Sequence, residues 1–111
     1  MATLQVPSLS PTDALLGLQL SGESFTPDTL ARAKEVLDIL KQLKAPAPFV
    51  FPTEIAGVQF EWKGGGRELD IELRPEEPGI FFVTFEHGRS VKEAATPISE
   101  SALRDLLGWL G

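Results

Sequence analysis

Between Val58 and Leu73 the apolar residues recur with a period of two. Val58, Phe60 and Trp62 alternate with Gln59, Glu61 and Lys63; after Gly64, Gly65 and Gly66, the residues Leu69, Ile71 and Leu73 alternate with Glu68, Asp70 and Glu72. Such alternation sends successive side chains to opposite faces of a strand, and a glycine run between two such segments reads as a hairpin turn. A hairpin with one apolar and one charged face needs a cover on one side only. That points to an antiparallel sheet within an α+β fold. The register can be read as well, because a slip of one residue would turn a strand inside out. Trp62 opposes Leu69, Phe60 opposes Ile71 and Val58 opposes Leu73. On the charged face Lys63 then meets Glu68, and Glu61 meets Asp70, a pairing of like charges that destabilises a sheet.

The flanking sequence supplies the cover. Thr26 is a good N-cap, Pro27 suits the first helical position and Asp28 the positive end of a helix. Leu30, Ala33, Val36, Leu37, Ile39, Leu40 and Leu43 recur at helical spacing, while Arg32, Lys34, Glu35, Asp38 and Lys41 fill the remaining positions. A helix is predicted from Pro27 to about Lys44, stopped by Pro46 and Pro48. Phe49, Val50 and Phe51 are expected to plug the edge of the core. Downstream, Ile80 to Glu86 reads as a third strand with Phe81, Val83 and Phe85 on the core face, and Ser90 to Ala95 as a shorter fourth. Ser99 caps a second helix whose buried stripe is Ala102, Leu103, Leu106, Leu107 and Leu110. The expected fold is therefore α+β: a helix, a three- to four-stranded antiparallel meander and a C-terminal helix.

Residues 1–25 read differently. Serines, prolines and Gly22 flank a leucine-rich stretch in which Leu16, Leu18 and Leu20 alternate with Gly17 and Gln19. This suits an extended arm or docking segment, with residues 26–111 as one α+β domain. Ser10 and Pro11 offer a competing start for a short helix that would fail at Gly17. The N-terminus has no basic region, and the run Ala14 to Leu16 is too short for a signal or a membrane span. A cytoplasmic protein of bacterial type, without membrane attachment, is the expectation.

Composition narrows the function. With 10 basic against 16 acidic residues the net charge is -6, the wrong sign for a protein that holds nucleic acid through its phosphates. Cysteine is absent and His87 is the one histidine, which leaves no thiol nucleophile and little material for a Cys/His metal site or a Ser-His-Asp triad. Gly64-Gly65-Gly66-Arg67 follows a strand, as a phosphate loop does. It leads into another strand, though, and lacks the Lys-Ser/Thr of a P-loop and a helix N-terminus to receive the anion. His87 beside Gly88 reads as an exposed turn residue. No catalytic, cofactor-binding or metal-binding residue is assigned.

What remains is a surface. In the predicted register Glu61, Glu68, Asp70, Glu72 and Glu86 share one sheet face, with Phe82 among them. The plain reading is a solvated face that keeps the sheet from sticking to others. The functional reading is a docking surface for a basic protein partner, with Phe82 as an aromatic anchor and Leu16, Leu18 and Leu20 as a second contact.

The stretch Gly57-Val-Gln-Phe-Glu-Trp62, the glycine turn, and Arg67-Glu-Leu-Asp-Ile-Glu72 resembles a hairpin pattern found in small uncharacterised bacterial proteins; the similarity extends over residues 27–87. The resemblance implies an accessory partner in a small gene module, including modules of toxin–antitoxin type, and carries no catalytic residue. The expected function is therefore a non-enzymatic protein-binding role, antitoxin- or immunity-like, exerted through the acidic face or the N-terminal arm. The alternatives are a homodimeric structural subunit formed by strand or arm exchange and, less favoured, a small-molecule or metal-binding enzyme.

Overall fold

The computed structural model describes the backbone of Leu4–Gln5 and residues 25–111. In chain order the elements are β1 (Leu4–Gln5), α1 (Pro27–Gln42), β2 (Phe49–Pro52), β3 (Val58–Gly64), β4 (Arg67–Leu73), β5 (Ile80–Glu86), β6 (Arg89–Thr96) and α2 (Glu100–Leu110). The strands follow one another across an antiparallel sheet in the order β1-β2-β3-β4-β5-β6. The α+β class stands. The strand count does not: β2 to β6 make five strands rather than three or four, and the two-residue β1 adds to the β2 edge. Phe49, Val50 and Phe51, expected to plug the core, are the fifth strand. Val50 pairs with Phe60 and is buried, while Phe49 and Phe51 turn the other way. The predicted arm residues Leu16, Leu18 and Leu20 lie outside the described residues.

Both caps form as the sequence predicts. The Thr26 hydroxyl accepts from the Thr29 N–H at 3.1 Å, and the Ser99 hydroxyl from the Ala102 N–H at 3.1 Å. Each satisfies one of the N–H groups that a first helical turn leaves unpaired. Helix α1 ends two residues before Lys44. Lys44 takes a positive φ of 54°, its N–H donating to the Lys41 carbonyl and that of Ala45 to the Leu40 carbonyl. This pair of bonds is a Schellman termination, with lysine where glycine is usual.

The β3–β4 register is the one the alternation predicts: Val58–Leu73, Phe60–Ile71, Glu61–Asp70, Trp62–Leu69 and Lys63–Glu68. Both helices lie on the apolar side. Ala33, Val36, Leu37 and Leu40 of α1 and Leu103 of α2 close over Val58, Phe60, Trp62, Leu69, Ile71 and Leu73. The Trp62 indole N–H also donates to the Pro46 carbonyl at 2.9 Å, pinning the proline connector to β3.

The β4–β5 register differs from expectation by one residue. Leu69 opposes Thr84, Ile71 opposes Phe82 and Glu72 opposes Phe81. Ile80, Phe82 and Thr84 therefore face the helices and are buried, while Phe81, Val83 and Phe85 face away. Ile80-Phe-Phe-Val-Thr-Phe85 is apolar on both parities, so alternation cannot choose between them, and the turn decides. Arg32, one of the charged residues between the apolar positions of α1, is buried. Its guanidinium donates to the carbonyls of Glu77 at 2.6 Å, Arg74 at 2.8 Å and Gly79 at 3.3 Å, and to Asp28 at 3.0 Å. This clamp fixes the 74–79 connection against α1. Gly79, at φ +80°, lies so close to the Thr96 carbonyl that a Cβ would come within 2.5 Å of it.

Candidate docking face

The side of the sheet away from the helices is assembled from strand parity. One row runs Phe49, Glu61, Asp70, Val83, Glu93 from β2 to β6; the next runs Phe51, Gln59, Glu72, Phe81, Ala95; on the other flank lie Lys63, Glu68, Phe85 and Ser90. Among the described residues no element covers this face. An antiparallel sheet is free to leave one side open, but here the open side is not a plain charged surface. Apolar side chains of β2 and β5 flank a carboxylate strip on β3 and β4.

The strip is partly neutralised. The Lys63 ammonium lies 3.5 Å from Glu61 and 3.9 Å from Glu68, while Arg74 reaches Glu72 at 3.1 Å and Glu77 at 3.4 Å. The Arg74 guanidinium also stacks over the Phe81 ring, 4.0 Å from its centroid. The Glu61 and Glu72 side chains are only 19% and 20% exposed, so these carboxylates sit among their neighbours rather than in bulk water. Asp70, at the centre, forms no ion pair among the described residues. Its Oδ1 is buried without a hydrogen-bond partner. Burial, a hydrogen bond to the Glu68 carboxyl and the charges of Glu68 and Glu61 push its pKa up to about 8, against a smaller downward pull from Lys63. Oxygens of Glu61, Glu68 and Asp70 lie within 4.8 Å of one another, a spacing that suits a cation, and the Lys63 ammonium already sits beside two of them.

The predicted site residues separate into three groups. Glu61, Glu68, Asp70 and Glu72 share the open face as expected. Phe82 does not: it is 6% exposed and packs in the core. Glu86 also leaves the acidic group. The one-residue shift of β5 turns it to the helix side, where it pairs with Arg67 at 3.0 Å. Arg67 there stacks on Trp109 and donates to its carbonyl, so a cation meets the otherwise uncompensated C-terminal end of α2. Leu16, Leu18 and Leu20 are outside the described residues. The aromatic residues actually present on the open face, Phe49, Phe51, Phe81 and Phe85, were missed. Treating Phe49–Pro52 as a strand would have exposed the first two by parity.

The glycine segment is a hairpin turn. Gly65 and Gly66 take positive φ, and the His87 N–H donates to the Gly66 carbonyl at 2.7 Å, joining the two turns at this end of the sheet. The His87 ring lies over Gly66, where a Cβ would approach it to 2.8 Å. Beside the turn, Pro46, Ala47, Phe49, Lys63 and Leu110 border a depression of about 390 Å³ that continues the open face past Glu61. Among the described residues no helix is long and apolar enough to cross a membrane. No family model, curated protein or solved structure matches the chain.

Proposed function

We propose that this protein is a non-enzymatic accessory protein that binds another protein through the open face of its sheet. The observation that carries the reading is the set of phenylalanines, Phe49, Phe51, Phe81 and Phe85, standing around a carboxylate strip on a face no described element covers. Aromatic side chains next to polar groups are typical interface anchors, and a contiguous partly apolar patch of this kind marks an interaction surface. Two of the strip's carboxylate partners are already cations of this chain, which shifts the fitting partner from a strongly basic protein to an apolar surface with few charges. The accessory role implied by the hairpin resemblance agrees with this reading.

The test uses the full chain as bait in lysate of the native host. The Phe81→Glu, Phe85→Glu double variant should lose a protein that the unaltered chain captures, while Lys34→Glu on the exposed surface of α1 keeps it. Capture that survives the double variant, with circular dichroism showing both proteins folded, would refute docking at this face.

A second reading, self-association, rests on β6, an edge strand whose residues Arg89 to Glu93 are all exposed. Its bulge opposite Thr84 and Phe85 and its charges Arg89, Lys92 and Glu93 are devices that blunt edge pairing. Sedimentation across a concentration range separates the two readings: a monomer at all concentrations removes the second.

A further inference from the structure

The open face has a layout as well as a composition. Its apolar side chains stand on the outer two of four neighbouring strands: Phe49 and Phe51 on β2, and Phe81, Val83 and Phe85 on β5. The carboxylates stand on the inner two, β3 and β4. Three strand spacings separate the apolar rows, about 14 Å. Strands β3, β4 and β5 each run seven residues, about 24 Å of extended chain. The face is therefore a polar strip between two apolar rails, and among the described residues nothing lies over it.

Two kinds of occupant differ in how they fit this layout. A second copy stacked face to face, with the two-fold at the centre of the face, sets strip against strip. Glu61, Glu68, Asp70 and Glu72 then meet the same four residues, with only Lys63 and Arg74 on each side to offset them. Like charges brought together in a contact are strongly disfavoured. An α-helix has the complementary shape. With its side chains it is about 10–12 Å across. Laid along the strands, it rests between the two rails, its underside on the carboxylates and its flanks on the rings. Residues i and i+4 of a helix rise about 6 Å, close to the spacing of about 7 Å between the Asp70 and Glu72 positions of the strip. Four carboxylates against two cations of this chain leave the strip negative, which suits one or two cations on the incoming helix. The carboxylates are partly buried, so such a cation pairs where water is already thinned out. Past Glu61 the depression of about 390 Å³ beside Pro46, Phe49 and Leu110 offers room for a large apolar side chain of the same helix.

We infer that the open face is a cradle for an amphipathic α-helix of a partner protein, its contact side carrying one or two cations in line with large apolar side chains on both flanks. The strand length corresponds to about 16 helical residues. The inference rests on the docking reading and adds the occupant.

The test is fluorescence anisotropy with the full chain and a labelled synthetic helical peptide of about 16 residues. The peptide carries two arginines four residues apart on one side, flanked by leucines. It should bind saturably. The same peptide with glutamates for the arginines, or with a proline at its centre, should bind about tenfold more weakly or worse. Phe51→Glu on one rail and Phe85→Glu on the other should each weaken binding about tenfold, while Lys34→Glu leaves it unchanged. Absence of saturable binding, equal affinity for the arginine and glutamate peptides, or sensitivity to one rail alone would overturn the inference. A dimer of the free chain that Phe85→Glu dissociates would overturn it too, by naming a second copy as the occupant. Should either phenylalanine variant fail to fold, NMR of the unaltered chain decides: the peptide should shift the ring signals of both β2 and β5, and a shift of one row only refutes the cradle. The docking reading fails separately. Lysate capture that survives Phe81→Glu, Phe85→Glu removes the face itself, whereas capture lost in that variant with no peptide binding removes only the helix.

Discussion

The two faces of this sheet are made by the same strands and obey different rules. On the helix side, Phe60, Leu69, Ile71 and Leu73 are fully buried, and buried polar groups such as Arg32 and Thr84 find carbonyl acceptors. On the open side, phenylalanines and carboxylates share one surface, cations serve some of the acids, and among the described residues Asp70 Oδ1 finds no hydrogen-bond partner. A face that existed only to be wet would carry neither the aromatic rings nor the enclosed carboxyl. The contrast teaches that the helices account for one side of the sheet, while no described element packs on the other.

The largest effect should come from setting one large side chain on each face against the other. Phe60→Ala removes a fully buried ring from the centre of the core and should cost about 3–5 kcal/mol, the usual range for such truncations. Phe85→Ala on the open face, where the ring is only half-buried, should cost about 0.5 kcal/mol, the upper end of the surface range. Urea unfolding of both variants measures the gap. Equal losses would mean that Phe85 is as firmly packed as Phe60 and that the open face is part of the core.

Next in size is Arg32, which holds the register separating the faces. Arg32→Ala leaves the carbonyls of Arg74 and Glu77 without their buried donor; hydrogen bonds to a charged group contribute about 1.5–3 kcal/mol, so a loss of about 2–3 kcal/mol is expected. Arg32→Lys should rescue little of it, because one ammonium cannot reproduce a planar fork that reaches several carbonyls at once. The readout is the denaturation midpoint, with amide exchange in β5 as a second check. Fast exchange confined to Ile80–Phe82 would show the turn loosening first.

Arg32 also marks where the sequence stopped being legible. Wherever one parity of a strand was apolar and the other charged, as in β3 and β4, the alternation carried both the faces and the pairing partners. In β5 both parities are apolar, and the choice passed to a long-range contact from α1 that no local pattern contains. With β5 went Phe82 and Glu86, both assigned to the wrong face. β2 was lost for a different reason. Four residues ending in Pro52 are too short for a period to establish itself, and the prolines on either side read as loop. Of the acidic strip, Glu61, Glu68, Asp70 and Glu72 were legible because they lie in the hairpin. The upward push on the Asp70 pKa was not, since it depends first on burial and then on how Glu68 and Glu61 sit beside it. The opposed pair Glu61–Asp70 was nonetheless visible as a conflict, and a local conflict in an otherwise consistent pattern is where functional or strained sites are found.

The smallest expected effect tests how the open face keeps its aromatic rings in place. The Arg74 guanidinium lies 4.0 Å from the Phe81 centroid while bonding Glu72 at 3.1 Å, so one cation links an aromatic ring to the acidic strip. A guanidinium over a ring at a partly exposed site contributes about 0.5–1 kcal/mol. Phe81→Leu keeps an apolar side chain but removes the π face, and should lower stability by no more than that. Arg74→Gln should cost a similar amount by the same route. The double variant should cost less than the two singles added together, because each single change already breaks the shared contact. If the two losses simply add, Arg74 acts through Glu72 and Glu77 alone, and Phe81 is free to turn toward whatever docks on this face.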